Sequence, residues 1–206
     1  MTARRVVGGL FGAALVLAAV GVAAVLTLSV RVDGHSMEPT LRAGERLLAA
    51  PDSGGEVRRF DVVLLRPAGR EALVVKRVIG VPGDRVGIVS TPQDPYQVLL
   101  QIGGAGPTYR VTDPAWTERA RRTGNCCSEA GLRSARPEMR TVPAGAFFFL
   151  GDNPDLSDDS RAYGWGDVRR VTGRVALRVW PLAGPHELGN RPGLVPVHEP
   201  VAVAGP

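Results

Sequence analysis

Apolar positions along this chain fall into two regimes. From Gly8 to Val30 there are 23 consecutive residues without a charge, with Arg4 and Arg5 just before them. At about 1.5 Å rise per residue such a run crosses a hydrocarbon layer about 30 Å thick, so it predicts a membrane-spanning helix over residues 8–30. A cleaved secretory leader has a shorter apolar region, roughly 7 to 15 residues, and a small-x-small exit. Here the run continues unbroken into Ser29, Val30 and Arg31 and reads as a retained anchor. Past residue 30 the apolar runs become short, rich in Val, Leu and Ile, and bounded by Gly, Pro and Asp, as strands and turns are. They predict strands at Arg31–His35, Arg46–Ala50, Phe60–Arg66, Ala72–Ile79, Arg85–Val89, Tyr96–Ile102, Ala146–Leu150 and Val168–Trp180, the last with a break near Gly173. One short helix is predicted, Pro114–Arg122.

This divides the chain into an N-terminal segment 1–7, an anchor 8–30, a main β core made of 31–86 and 142–182, an inserted lobe 87–141 and a tail 183–206. The lobe is set apart by looser texture, with "GGAGP" and "RTGNCCSEAGLRSARPE" interrupting weak strands. The tail is rich in Pro and Gly and reads as unpacked. By the positive-inside rule Arg4 and Arg5 put the amino terminus in the cytoplasm, although Arg31 and Arg42 follow the span. Everything after residue 30 is then extracytoplasmic, on a single-pass protein of the cell membrane.

A net charge of +5 and a pI near 10 suit an anionic partner, yet aromatics are only 5% and no basic cluster is interleaved with them. Nucleic acid is therefore not expected as a partner. The arginine excess reflects a GC-rich coding sequence. Cys126 and Cys127 are adjacent, which leaves a vicinal bridge, a bridge to another chain or two free thiols open. No metal or other cofactor is expected. Zinc needs four ligands and the three histidines are scattered, while a calcium loop counted from Asp152 meets Ser157 and Tyr163 where glycine and glutamate belong.

Three segments carry polar residues that burial alone does not predict: "VDGHSMEPTLRAGE", "REALVVKRVIGVPGDR" and "GDNPDLSDDSRAYGWGD". The first places Ser36 in a turn, where a serine is ordinarily a cap unless a base reaches it. His35 points to the opposite side, and His186 and His198 lie in the loose tail. The second holds Lys76, the only lysine among 25 basic residues. Strand alternation puts Val74, Lys76 and Val78 on one face. If that face is covered, the ammonium loses solvation and releases its proton more readily, and the neutral amine can act as a base. Arginine cannot, because its guanidinium stays charged. Arg77 points the other way, where charge alone is called for. In the third segment Asp159 and Arg161 are spaced to pair across a tight turn.

Together these segments resemble the type I signal peptidases, membrane-anchored serine proteases that remove signal peptides from exported proteins. The resemblance rests on "GHSMEPTL", "FDVVLLRP", "KRVIGVPGD" and "GDNPDLSDDSR", in that order after an anchor, and covers roughly residues 10–86 and 142–180. It implies an extracytoplasmic, antiparallel β-sheet catalytic core with a smaller inserted lobe. It also implies that Ser36 is the nucleophile, Lys76 the general base, Ser157 the hydroxyl that bonds the lysine amine, and Asp159 with Arg161 a bracing ion pair. The oxyanion hole would use the Ser36 backbone N–H. Gly34 occupies the place where some members carry a side-chain donor, so the second donor would be water or a neighbouring amide. Pro154 stands where arginine is usual. The implied partners are the lipid bilayer and signal peptides of secretory preproteins, cut after small-x-small sequences, near the protein export machinery. The substrate would add as a strand along Asp33–His35 and Val74–Val78, with Met37 seating the site against lipid or substrate or simply packing. Alternatives are a dedicated maturation peptidase for pilin or conjugation proteins, and a catalytically inactive membrane-tethered β-rich module.

Overall fold

A computed structural model describes residues 2–51, 57–114, 116, 120, 124–181, 188 and 192–197. Helix α1 (Thr2–Leu28) is the one helix among them long and apolar enough to cross a membrane. Its stretch Leu10–Leu28 has a mean hydropathy of 2.5, and none of it is buried within the protein. The helix ends two residues before the predicted limit, because Val30 already pairs with Leu47 in a sheet.

The rest is mainly β, as the run lengths predict. A seven-stranded sheet contains β1 (Val30–Arg31), β2 (Arg46–Pro51), β3 (Val62–Leu65), β4 (Val74–Gly80), β9 (Ala146–Leu150), β10 (Gly166–Asp167) and β11 (Val171–Trp180). They lie in the order β1-β2-β11-β3-β4-β9-β10, every pair antiparallel. A second antiparallel sheet has the order β12-β7-β6-β5-β8, with β5 (Arg85–Val89), β6 (Gln97–Gln101), β7 (Thr108–Thr112), β8 (Arg140–Thr141) and β12 (Gly193–Pro196). Ile79, Phe148 and Leu150 of the first sheet and Val86, Ile88, Val98 and Leu100 of the second share one buried cluster. The two sheets therefore hold each other through a common core.

Several expectations need correction. The strand predicted at Arg31–His35 ends at Arg31, because Gly34 turns the chain with φ +90°. Phe60 lies outside its predicted strand, at φ 69°. The break near Gly173 is a register shift between Val171 and Gly173 within one continuous strand, preceded by a 3-10 turn at Val168–Arg170. The tail is not wholly unpacked: β12 adds to the free edge of β7, in register Gly193↔Thr112 to Pro196↔Tyr109, and Leu194 packs on the shared core. An edge of unpaired N–H and C=O groups is a template for such pairing, which the tail's own composition does not announce. The helix expected at Pro114–Arg122 lies largely outside the described residues. Cys126 and Cys127 are joined to each other in a vicinal disulfide, fully buried in the shared core.

Candidate active site

Ser36 sits at the head of a loop closed at its base by backbone bonds from Val32 to Glu45 (2.8 Å) and from Gly44 to Val32 (2.9 Å). Met37 and Leu41, linked through one helical turn (Leu41 N–H to Met37 carbonyl, 2.9 Å), plug into a cluster with Leu47, Val62 and Leu64. Met37 is thus a packing residue, and its burial fixes the serine beside it. His35 lies in the turn rather than in the predicted strand, and its ring pairs with Glu38 at 2.8 Å.

The loop is held from above by the segment following β9. The Asn153 N–H donates to the Ser36 carbonyl (3.0 Å), and its side-chain amide donates to the His35 carbonyl (3.1 Å). Contact this close needs a glycine at Gly151: a Cβ there would lie 2.4 Å from the Ser36 carbonyl oxygen and 2.3 Å from the Ser157 hydroxyl. Among the described residues nothing accepts from the Ser36 N–H.

Lys76 lies on β4, opposite Val63 of β3, and is 3% exposed. Its Nζ is 2.7 Å from Ser36 Oγ. Burial lowers its pKa from the ordinary lysine value, against the pull of Asp159, Asp158 and Asp152, with Arg161 adding to the lowering. A hydroxyl in hydrogen-bond contact with an amine that sheds its proton easily suits proton transfer from oxygen to nitrogen.

Arg77, one residue on, does more than carry charge. It is as buried as Lys76, and its guanidinium grips Asp152 through two bonds of 2.8 and 2.6 Å while a third N–H reaches the Phe60 carbonyl at 3.1 Å. Although burial works against it, the bonds to Asp152 hold its pKa above the ordinary arginine value. Sequence reasoning missed both this pair and the Asn153 clamp. The available signal was the run "GDN", whose three residues respectively permit close approach, bind Arg77 and hold the serine loop.

Asp159 and Arg161 form the expected pair. Both side chains are fully buried, and two bonds of 2.8 Å join them. Asp159 also caps helix α2 (Ser160–Tyr163) through the Arg161 N–H and accepts from the Gly151 N–H at 3.1 Å. Burial alone would raise the Asp159 pKa; the Arg161 charge and hydrogen bonds bring it below the ordinary carboxylate value. Arg161 reaches the Pro154 carbonyl at 2.9 Å, so a proline there, lacking only its N–H, leaves that bond intact.

Ser157 is buried beside Gly151. It adds to the lowering at Asp159, but among the described residues its hydroxyl falls short of hydrogen-bond geometry with any group, the Lys76 amine included. Among the described residues no set of three or more His, Cys, Asp or Glu is placed to hold a metal.

One protein-family model, described as "Signal peptidase, peptidase S26", matches residues 5–180. A signal peptidase I of Bacillus caldolyticus is 34% identical over 155 residues, covering 73% of this chain and 78% of that protein. Signal peptidase IB of Staphylococcus aureus (strain COL) is 32% identical over 167 residues, covering 74% and 77% respectively. The structure of a signal peptidase I from Enterococcus faecalis V583 aligns with a TM-score of 0.43 at 24% identity, over 59% of this chain and 98% of that one.

Proposed function

The chain belongs to the signal peptidase, peptidase S26 family, and on that premise we propose that it is a membrane-anchored serine endopeptidase that cuts signal peptides from exported preproteins, with Ser36 as nucleophile and Lys76 as general base. The observation that carries this reading is the 2.7 Å contact between the Ser36 hydroxyl and a buried amine.

Neutral Lys76 takes the Ser36 proton as the oxygen attacks the carbonyl at the end of the signal peptide. The oxyanion is received by the Ser36 N–H, a donor worth about 2.7–4 kcal/mol in comparable sites. Lys76 returns the proton to the departing amine, leaving an acyl-enzyme ester. It then deprotonates water, whose attack frees the signal peptide and restores Ser36. Asp159, Arg161 and the Arg77–Asp152 pair act at a distance, keeping the surrounding loops in place.

The substrate adds in extended form beside the serine loop at Asp33–His35 and along β4. In support, β4 pairs with β9 only from Arg77 onward, so among the described residues Val74, Val75 and Lys76 have no strand partner on that side. Small residues before the cut are the specificity that the family membership suggests. Cleavage takes place at the outer membrane surface near the export machinery, with the amino terminus of α1 in the cytoplasm.

The test uses the full chain in liposomes with a preprotein carrying a small-x-small site. Ser36→Ala is expected to lower cleavage by about 10³-fold or more, read by gel and by N-terminal sequencing of the product. Cleavage at the same bond by Ser36→Ala would overturn the assignment.

A further inference from the structure

Between α1 and the edge of the first sheet runs a groove of about 800 Å³. Ala18, Gly21, Val22 and Val25 form its helix wall, and Val179 and Trp180 of β11 face them. Its lining includes two charges, Arg31 and Arg46, both basic. Arg46 is braced at the end of the helix, donating to the Leu26 carbonyl and to Ser29 Oγ (2.9 Å). Arg31 projects outward, 66% exposed, and its approach to Asp33 at 3.9 Å is too long for a hydrogen bond.

The order of these groups along α1 decides what fits. Ala18 and Leu26 are eight residues apart, about 12 Å along the helix axis. With α1 in the bilayer, the arginine end lies at the membrane surface and the Ala18 end lies within hydrocarbon. Trp180, 52% exposed with an apolar body and a polar N–H, stands where the two regions meet. We propose that this groove is a binding site for one anionic phospholipid, an acyl chain lying against Ala18–Val25 and Trp180 and the phosphate on Arg31. Charge complementarity selects the anionic headgroup, and the small side chains at Ala18 and Gly21 provide the depth for a chain. The proposal rests on α1 spanning the bilayer and is independent of the Ser36 chemistry.

The full chain is reconstituted in phosphatidylcholine vesicles containing either phosphatidylglycerol or phosphatidylcholine brominated on an acyl chain. Fluorescence quenching is read as the part lost in Trp180→Phe. Brominated phosphatidylglycerol is expected to quench at about fivefold lower mole fraction, the preference one interfacial arginine confers. Arg31→Gln should abolish the preference while leaving quenching by phosphatidylcholine intact. A Cβ at Gly21 would meet nothing within 4 Å, so the Gly21→Leu side chain can project into the groove and should weaken quenching at Trp180 by both lipids. Phosphatidylglycerol retained by the detergent-purified chain, counted by native mass spectrometry, should fall in both variants. Equal quenching by the two headgroups, unchanged retention in the variants, or saturable relief of quenching by a synthetic signal peptide would each overturn the proposal.

Discussion

Strand β4 buries two consecutive basic side chains on opposite faces and treats them oppositely. Arg77 meets a carboxylate that fits its guanidinium bidentately, and stays charged. Lys76, equally buried, meets a hydroxyl instead, with the carboxylates of Asp152, Asp158 and Asp159 acting on it only through their field. Burial penalises both ions; the partner decides how far that penalty is offset. The same strand thus supplies a permanent cation that ties β4 to the segment carrying Asn153, and beside it an amine that gives up its proton more easily than an ordinary lysine.

The largest expected effect comes from erasing that contrast. Lys76→Arg places a permanent cation against Ser36 and should lower signal-peptide cleavage by about 10³-fold or more, with the fold retained by circular dichroism. Lys76→Met should be as inactive yet more resistant to denaturant, because it removes an ion-forming group from a buried position and leaves behind only the half-buried Ser36 hydroxyl, which water can satisfy. The pH dependence has a fixed sign. The native pKa lies below the ordinary lysine value of 10.5, so the neutral fraction, and with it kcat/KM, rises as pH rises through that lowered value. Between the lowered value and 10.5 the unfolded chain binds more protons than the native one, so stability also rises with pH across that window. An arginine variant with near-normal turnover, or a rate that falls as pH rises through this range, would break the comparison.

On the opposite face the expected loss is in stability. Asp152→Ala leaves Arg77 charged, buried and unpaired, a change worth about 3–5 kcal/mol in denaturant unfolding. The double variant Arg77→Met with Asp152→Leu should recover most of that loss, since apolar residues of similar size satisfy the site without ions. If Asp152→Ala unfolds at the parental midpoint, the pair does not tie the two segments together. If the double variant is stable but inactive, the pair positions the serine loop as well as stabilising it.

What could be read in the sequence follows from how local each feature is. The anchor and the longer strands were legible because apolar periodicity is a property of neighbouring residues. Lys76 stood out by residue type, since every other basic position is arginine. The Asp159–Arg161 contact spans two positions and was equally legible. Arg77 and Asp152 are 75 positions apart, and Asn153 is 118 from His35, so no local pattern could announce either contact. Strands β8 and β10 are two residues long, below the length at which alternation registers. Strand β12 exists because β7 offers an edge, a fact about its partner that the composition of the tail does not contain.

Ser157 gives the smallest effect and the sharpest division between holding the fold and serving the reaction. Its hydroxyl is buried beside Gly151 and Asp159 and makes no hydrogen bond to the Lys76 amine in the resting site. Ser157→Ala should therefore change unfolding in denaturant little. If the hydroxyl engages the Lys76 amine during catalysis, its loss removes one hydrogen bond from the transition state, and kcat should fall about tenfold with KM little changed. The loss then shows in kcat and not in stability, which a purely structural serine could not produce. An unchanged kcat would confine Ser157 to its contacts with Gly151 and Asp159, and would leave the amine oriented by the walls of β4 and by Ser36 alone.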